Sequence, residues 1–227
     1  MMKKLVVIFI FARSGSKGLK NKNIQKINNK TLLEITIDTA KKLKPHKIYV
    51  SSDSDIIKKI ALDNDVCFIK RPNKLCTDIS PEILSWKHAI KYVQKKYKFD
   101  IFLSLPVTSP LRKLVDIKKC IELKKSNDND LVVCITKSKK SPYFNMFLKK
   151  NNKLIKFQNK KYSRRQDTPI SYDLTTFAYA STPSYITKTN DIFSGNVEGV
   201  EVPYKRSLDI DDIFDLNLAR YLYKNNF

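Results

Sequence analysis

The chain has 227 residues, 44 Lys plus Arg against 22 Asp plus Glu, and is 42% hydrophobic and 11% aromatic. This excludes a disordered or fibrous chain and suits one α/β domain, with room for a small inserted unit. No apolar run approaches ~18 residues, so no membrane span is expected.

In chain order, Leu5–Phe11 is a continuous Val/Ile/Phe-rich run, the pattern of a strand buried on both faces of a parallel sheet. It is too short for a secretory signal and runs straight into Ala12-Arg13. Residues 13–23 read as a polar loop. Helical spacing predicts a helix over Thr31–Leu43, then a strand over Lys47–Ser51. A second helix is predicted over Asp53–Asn64, capped by Asp53 or Ser54, with a short strand at Val66–Ile69. Ile83, Trp86, Ile90, Val93 and Tyr97 recur at spacings of 3 and 4, which predicts an amphipathic helix of about 17 residues from Ser80-Pro81. Asp100–Leu105 (strand), Leu114–Lys125 (helix) and Asp130–Thr136 (strand) follow. From Lys137 to about 170, Lys- and Asn-rich stretches surround Tyr143–Leu148 and Leu154–Phe157, read as an inserted β-hairpin subdomain. Thr175–Ala180 and Val197–Val202 return as strands, and Ile213–Tyr223 closes as a helix. The alternation predicts a single α/β domain over 1–227, with a doubly wound, mostly parallel, Rossmann-like sheet. Ligands on such sheets bind beyond the carboxyl ends of the strands.

Of the 44 basic residues 37 are Lys, spread over nearly every segment beside many Asn and Ile. This reads as the habit of an A/T-rich coding sequence. No helix-turn-helix, zinc finger or aromatic RNA-binding motif is present, so no nucleic-acid partner is expected, although a basic polyanion-binding protein stays open as a rival. Cys67, Cys76, Cys120 and Cys134 form no C-x-x-C pair and read as reduced, cytoplasmic thiols.

Two of only four glycines, Gly15 and Gly18, lie in Arg13-Ser14-Gly15-Ser16-Lys17-Gly18. Scarce glycine concentrated after a buried strand suggests backbone that turns sharply or approaches a ligand closely. Its N–H groups, hydroxyls and the cations Arg13, Lys17 and Lys22 suit a polyphosphate; the alternative is an ordinary tight turn with solvated lysines. The loop is neither a Walker A nor a G-x-G-x-x-G motif. Near the end, Asp209 and Asp211 are two apart. In an extended segment both side chains share one face while Ile210 enters the core, an arrangement able to anchor Mg²⁺; capping of the last helix is the alternative, assigned more readily to Asp212. Arg164-Arg165-Gln166-Asp167 suits a carboxylate ligand or a surface ion pair.

Residues 12–23, Ala-Arg-Ser-Gly-Ser-Lys-Gly-Leu-Lys-Asn-Lys-Asn, closely resemble the opening motif of the CMP-sialic acid synthetases (acylneuraminate cytidylyltransferases). Further motifs follow in order: Ser51-Ser52-Asp53; Arg71-Pro72-Asn73-Lys74-Leu75 with Asp78 and His88-Ala89; Thr108-Ser109-Pro110-Leu111-Arg112; Arg165-Gln166 with Pro169 and Tyr172; and Ser207-Leu208-Asp209-Ile210-Asp211. The resemblance covers essentially the whole chain. It implies an enzyme condensing CTP with a nine-carbon acid sugar and releasing pyrophosphate. By position it implies that Arg13, Gly15, Ser16, Lys17, Gly18, Lys22, Asn23, Asp53 and Arg71 bind the nucleotide, and that Asp209 and Asp211 hold Mg²⁺. Arg13, Lys22 and the two aspartates are then the catalytic set. Arg165, Gln166, Thr108 and Tyr179 are the sugar-side candidates, with Phe193 beside them. The inserted subdomain is implied to build a homodimer.

Two positions depart from the family pattern. Pro106 stands where many members place a sugar-contacting Gln, and where many carry Asn-Gly-Ala after the Tyr of the fourth motif, Tyr172-Asp173-Leu174 here leads to Thr175-Thr176-Phe177. Proline offers no side-chain hydrogen bond. The acid sugar is therefore left open among sialic, legionaminic, pseudaminic and related nonulosonic acids, with a Kdo- or sugar-phosphate-type transferase as alternative. No side chain stands out as general base.

Overall fold

The computed structural model describes residues 4–15, 18–158 and 160–225. Strand β1 (Val6–Phe11) is followed by a loop, a short hairpin β2 (Lys26–Ile27) and β3 (Lys30–Thr31), and helix α1 (Leu32–Lys42). Thr31 closes α1 with a capping box to Glu34, a short-range reason for the helix to start there. Next come β4 (Lys47–Ser52), α2 (Asp55–Asp63), β5 (Cys67–Lys70), α3 (Glu82–Gln94), β6 (Ile101–Ser104), α4 (Leu114–Ser126) and β7 (Leu131–Lys137). Then follow the hairpin β8 (Phe147–Lys150) and β9 (Lys153–Lys156), strand β10 (Tyr172–Ser181), α5 (Pro183–Lys188), β11 (Val197–Glu201) and α6 (Ile213–Lys224).

Seven strands form one sheet in the order β11-β7-β10-β6-β1-β4-β5, parallel except for β10, which runs antiparallel to both its neighbours. The expected doubly wound α/β architecture is what forms. Side chains of β1 alternate as a pleated strand requires. Ile8 and Ile10 join α1, α2, α4 and α6 on one face, whereas Val7 and Phe9 meet α3 and α5 on the other. Among the described residues no helix is long and apolar enough to cross a membrane, and all four cysteines are free thiols.

Several boundaries differ from the sequence expectation. Ser54, not Asp53, caps α2. Helix α3 ends at Gln94, short of Tyr97. That side chain keeps the apolar spacing because it turns back onto β4, its hydroxyl 3.3 Å from that of Tyr49. Strand β10 begins three residues early, at Tyr172, pairing with the end of β7 beyond a register shift. Helix α5 has no counterpart in the expected elements; at six residues it offers too little periodicity to read, although Thr182 caps it and Pro183 opens it. The hairpin turns through Asn151 and Asn152, both left-handed at φ 46° and 61°, the backbone that matches strand twist in a two-residue loop.

Candidate active site

The parallel strands β1, β4, β5 and β6 end at one edge of the sheet, and the polar motifs leave from there. Ala12 extends the pairing of β1 by donating to Ser51 O at 3.1 Å. The loop beyond is then tied to the end of β4: the Ser14 N–H donates to Asp53 Oδ1 at 2.9 Å and its hydroxyl donates to Oδ2. Partial burial pushes the Asp53 carboxyl up. The Ser14 hydrogen bonds, Asp53's own N–H and the nearby Arg71 charge outweigh that and hold it below the usual carboxylate range. Asp53, expected to cap a helix and position nucleotide, therefore serves the loop. Asn23, itself buried, donates to Arg13 O at 2.9 Å.

Arg13 reaches across to the stretch before α3, with Nη1 2.8 Å from Asp78 Oδ1 and 3.3 Å from Cys76 O. Arg71 leaves the end of β5 and is 4% exposed. Its guanidinium donates to Ser51 O at 2.7 Å and lies 5.5 Å from the centre of the Phe11 ring. Burial lowers its pKa from the usual arginine value, partly offset by the nearby Cys76, Glu82 and Asp53.

Among the described residues of this loop, Asn21 is left-handed, at φ 55°. A Cβ on Gly18 would lie 2.4 Å from the carbonyl oxygen of Asp211, so glycine is required there by close approach of the acidic segment itself. A Cβ on Gly15 would meet nothing within 4 Å among the described residues. Lys22 Nζ sits 3.0 Å from Asp211 Oδ1, an ion pair between residues 189 apart in sequence. Ser16 and Lys17 lie outside the described residues.

Together these segments enclose a cavity of about 480 Å³ lined by Arg13, Gly18, Lys22, Asn23, Arg71 and Asp211, with Phe11, Leu75, Asp78, Ser80, Glu82 and Ser85 completing its wall. Its described cations come from two stretches of chain, Arg13 and Lys22 from the loop after β1 and Arg71 from the end of β5.

Ile210 is fully buried and its N–H donates to Thr108 O at 2.9 Å. Asp215 then accepts from the N–H groups of Asp211 and Asp212, turning the chain into α6, where Asp212 and Asp215 form a capping box. Asp211 lines the cavity just described, and Asp209 lines a hollow with Thr136, Thr175 and Leu208. Asp209 Oδ1 is buried with no hydrogen-bond partner among the described residues.

A second cavity, of about 490 Å³, adjoins the first and is lined by Trp86, Leu174, Tyr179, Asn190, Ile192 and Phe193, with Pro81, Glu82, Ile83 and Asp191. Tyr179 packs on Trp86 with ring centres 5.4 Å apart. Of the residues proposed for a sugar, Tyr179 and Phe193 stand in this wall. The other candidates do not line either cavity. Thr108 lies 3.5 Å, hydroxyl to hydroxyl, from Thr176, and its carbonyl holds the acidic segment. Arg165 donates to Lys139 O and Gln166 is exposed, both in a helical turn at the base of the insert. The surface ion pair is made by Arg164 with Asp167, at 2.9 Å. Arg112 is structural: fully enclosed, it donates to the carbonyls of Pro106, Ser109 and Phe177, and burial pushes its pKa down to about 9.

Sequence reasoning missed Glu82 and Trp86 as site residues. Their spacing of four at the start of a helix was a legible side-chain pair, but nothing in it pointed to a cavity.

A family profile described as cytidylyltransferase matches residues 7–225. CMP-N,N'-diacetyllegionaminic acid synthase of Campylobacter jejuni is 31% identical over 221 residues, covering 96% of this chain and 94% of that protein. N-acylneuraminate cytidylyltransferase of Streptococcus agalactiae is 29% identical over 210 residues, covering 90% of this chain and 50% of that protein. Among solved structures, CMP:2-keto-3-deoxy-manno-octonic acid synthetase complexed with CTP superposes with a TM-score of 0.75 over 98% of this chain and 100% of that one; at 14% identity this speaks for the fold alone.

Proposed function

Because the chain belongs to the cytidylyltransferase family, we propose that it transfers the cytidylyl group of CTP to the anomeric hydroxyl of a nonulosonic acid, releasing pyrophosphate. The observation that carries this reading is the meeting of two distant segments. Gly18 is packed against the Asp211 backbone, and the Lys22–Asp211 ion pair closes the same cavity. Arg13, Lys22 and Arg71 supply cations where the triphosphate would lie. Fixed donors aimed at developing charge lower the barrier most when they need no reorganisation; here Asp53, Asp78 and Ser51 hold the loop and two of these cations in place.

The acceptor occupies the second cavity, with Tyr179 and Phe193 in its wall. The legionaminic acid and acylneuraminate enzymes among the relatives support a nine-carbon acid sugar. A divalent cation fits the residues present. Asp209 keeps one buried carboxylate oxygen unpartnered, and Asp211 offers a second carboxylate two residues on, inside the nucleotide cavity; Mg²⁺ takes one or two carboxylates and leaves its other positions to water and phosphate. When bound, Mg²⁺ supplies charge neutralisation for the α-phosphate and the leaving pyrophosphate. A homodimer built through the inserted hairpin and a cytoplasmic setting complete the proposal.

Pyrophosphate release from CTP with Mg²⁺, across a panel of nonulosonic acids and Kdo, tests it. Release with at least one nonulosonic acid is expected, and Asp211→Ala should lower turnover by ~10²-fold or more with an unchanged circular dichroism spectrum. Silence across the panel, or Asp211→Ala at wild-type rate, overturns it.

A further inference from the structure

We propose that Glu82 is the base that takes the proton from the attacking hydroxyl of the acceptor; this rests on the cytidylyl-transfer reading above. The two cavities share one described residue in their walls, and it is Glu82. If CTP fills the first cavity and the acid sugar the second, the reacting hydroxyl must meet the α-phosphate where the cavities join. A group that moves its proton must lie within hydrogen-bond reach of that junction.

The other carboxylates of the first cavity are engaged: Asp78 with Arg13 and Asp211 with Lys22. Glu82 makes no ion pair among the described residues. One oxygen, Oε1, accepts the Trp86 indole N–H at 3.1 Å, one helical turn on, which fixes the carboxyl and leaves Oε2 for a donor. The residue as a whole is exposed, but protein crowds its carboxyl and pushes the pKa up. The Trp86 hydrogen bond and the Arg71 charge pull it back in part, and the balance stays above the usual glutamate value. Around it stand Arg71 beyond β5, Asp78 before α3, Tyr179 on β10 and Asp191 after α5. An elevated carboxyl pKa brings a base closer to working pH.

The step balances. The acceptor O–H proton passes to Glu82 Oε2 as the acceptor oxygen bonds to the α-phosphorus. The bond from that phosphorus to the bridging oxygen breaks, and pyrophosphate departs with the electron pair. Glu82 then returns its proton to water.

The test is the pH profile of kcat at fixed Mg²⁺ for the wild type, Glu82→Gln and Trp86→Phe, with CTP binding measured by calorimetry. The wild-type rate should rise through an apparent pKa above the ordinary ~4.3 of a glutamate. Glu82→Gln should lose ~10²-fold or more in kcat and lose that acidic limb, with KM for CTP within ~3-fold. Trp86→Phe removes a hydrogen bond that stabilises the carboxylate, so the limb should move to higher pH. A Glu82→Gln enzyme that keeps wild-type kcat, or keeps the acidic limb, or fails only in KM, overturns the assignment. So does a Trp86→Phe limb that stays in place or moves down. Should Glu82→Gln not fold, Glu82→Asp and the Trp86→Phe shift decide. A wild type that binds CTP yet releases no pyrophosphate with any acceptor overturns the function reading itself, a result distinct from all of these.

Discussion

The two cavities that meet at Glu82 are built by different means. The first is walled by loops tied back to the sheet: Ser14 to Asp53, Asn23 to Arg13, Arg71 to Ser51 and Ile210 to Thr108, each within a few residues of a strand end or across to a second motif. The second is walled by side chains of α3, β10 and the stretch after α5, held mainly by aromatic packing of Trp86 and Tyr179. A wall fixed by directional bonds can bind one rigid group, such as a triphosphate, with little reorganisation. A wall of packed side chains changes shape with each substitution. Relatives that share the nucleotide and differ in the acid sugar are what this division allows.

The sharpest way to break the comparison is at Gly18. A methyl group there would sit 2.4 Å from the Asp211 carbonyl and must push the acidic segment away from Lys22. Gly18→Ala should cost ~10²-fold in kcat/KM, the penalty typical of displacing reacting groups by about 1 Å, with secondary structure retained by circular dichroism. Gly15→Ala is the control: its methyl meets nothing among the described residues, so any loss should fall on KM for CTP. Equal, small effects at both glycines would show that the approach of Gly18 to Asp211 does not shape the site.

Next in size is Asp53. Its carboxyl lies below the usual range because the folded state hydrogen-bonds the charged form. A depressed folded pKa contributes stability that is fully present above the unfolded value of ~3.9 and lost as pH falls through the folded one. Asp53→Asn should therefore cost about 1 kcal/mol at pH 7, and its gap to wild type in urea unfolding should close only below about pH 3.9. A gap independent of pH would sink the charge assignment and leave only shape.

Much of this was legible in the chain. The alternation of apolar strands and amphipathic helices prescribes the sheet, since each pattern buries only one way. The motifs at residues 12–23, 71–78 and 207–211 do meet, because parallel strands deliver their following loops to one edge. What was not legible depends on three-dimensional approach. The glycine pattern left a sharp turn or a close approach open at Gly18, and that its backbone packs against Asp211 shows only in three dimensions. Glu82 stands in the first turn of α3, where the helix dipole favours an acid, and its place between two cavities follows only from where β10 and the stretch after α5 come to lie. Arg165 and Gln166 kept their motif but sit exposed at the base of the insert, a location that one chain's sequence does not connect to either cavity.

The smallest expected effect on the folded chain is also the one that most sharpens the second half of the comparison. Every residue of β8 and β9 is exposed, including Phe147, Leu148, Leu154 and Ile155. A lone two-stranded ribbon is marginal in water, and exposed apolar side chains grouped on one unit mark an interface. In the proposed homodimer these residues are covered by the second copy. Replacing Phe147 and Leu154 by Ser should then shift sedimentation from dimer to monomer, while thermal unfolding of the sheet domain, extrapolated to low protein concentration, moves by no more than about 0.5 kcal/mol. Arg165 and Gln166 lie at the base of this unit, so the same variant tests whether acceptor binding needs the partner. If KM for the acid sugar rises as the dimer dissociates while KM for CTP holds, the acceptor side is completed between chains and the nucleotide side within one. If both hold, a single chain suffices for each, and the differences among relatives must be sought in the wall of Trp86, Tyr179 and Phe193.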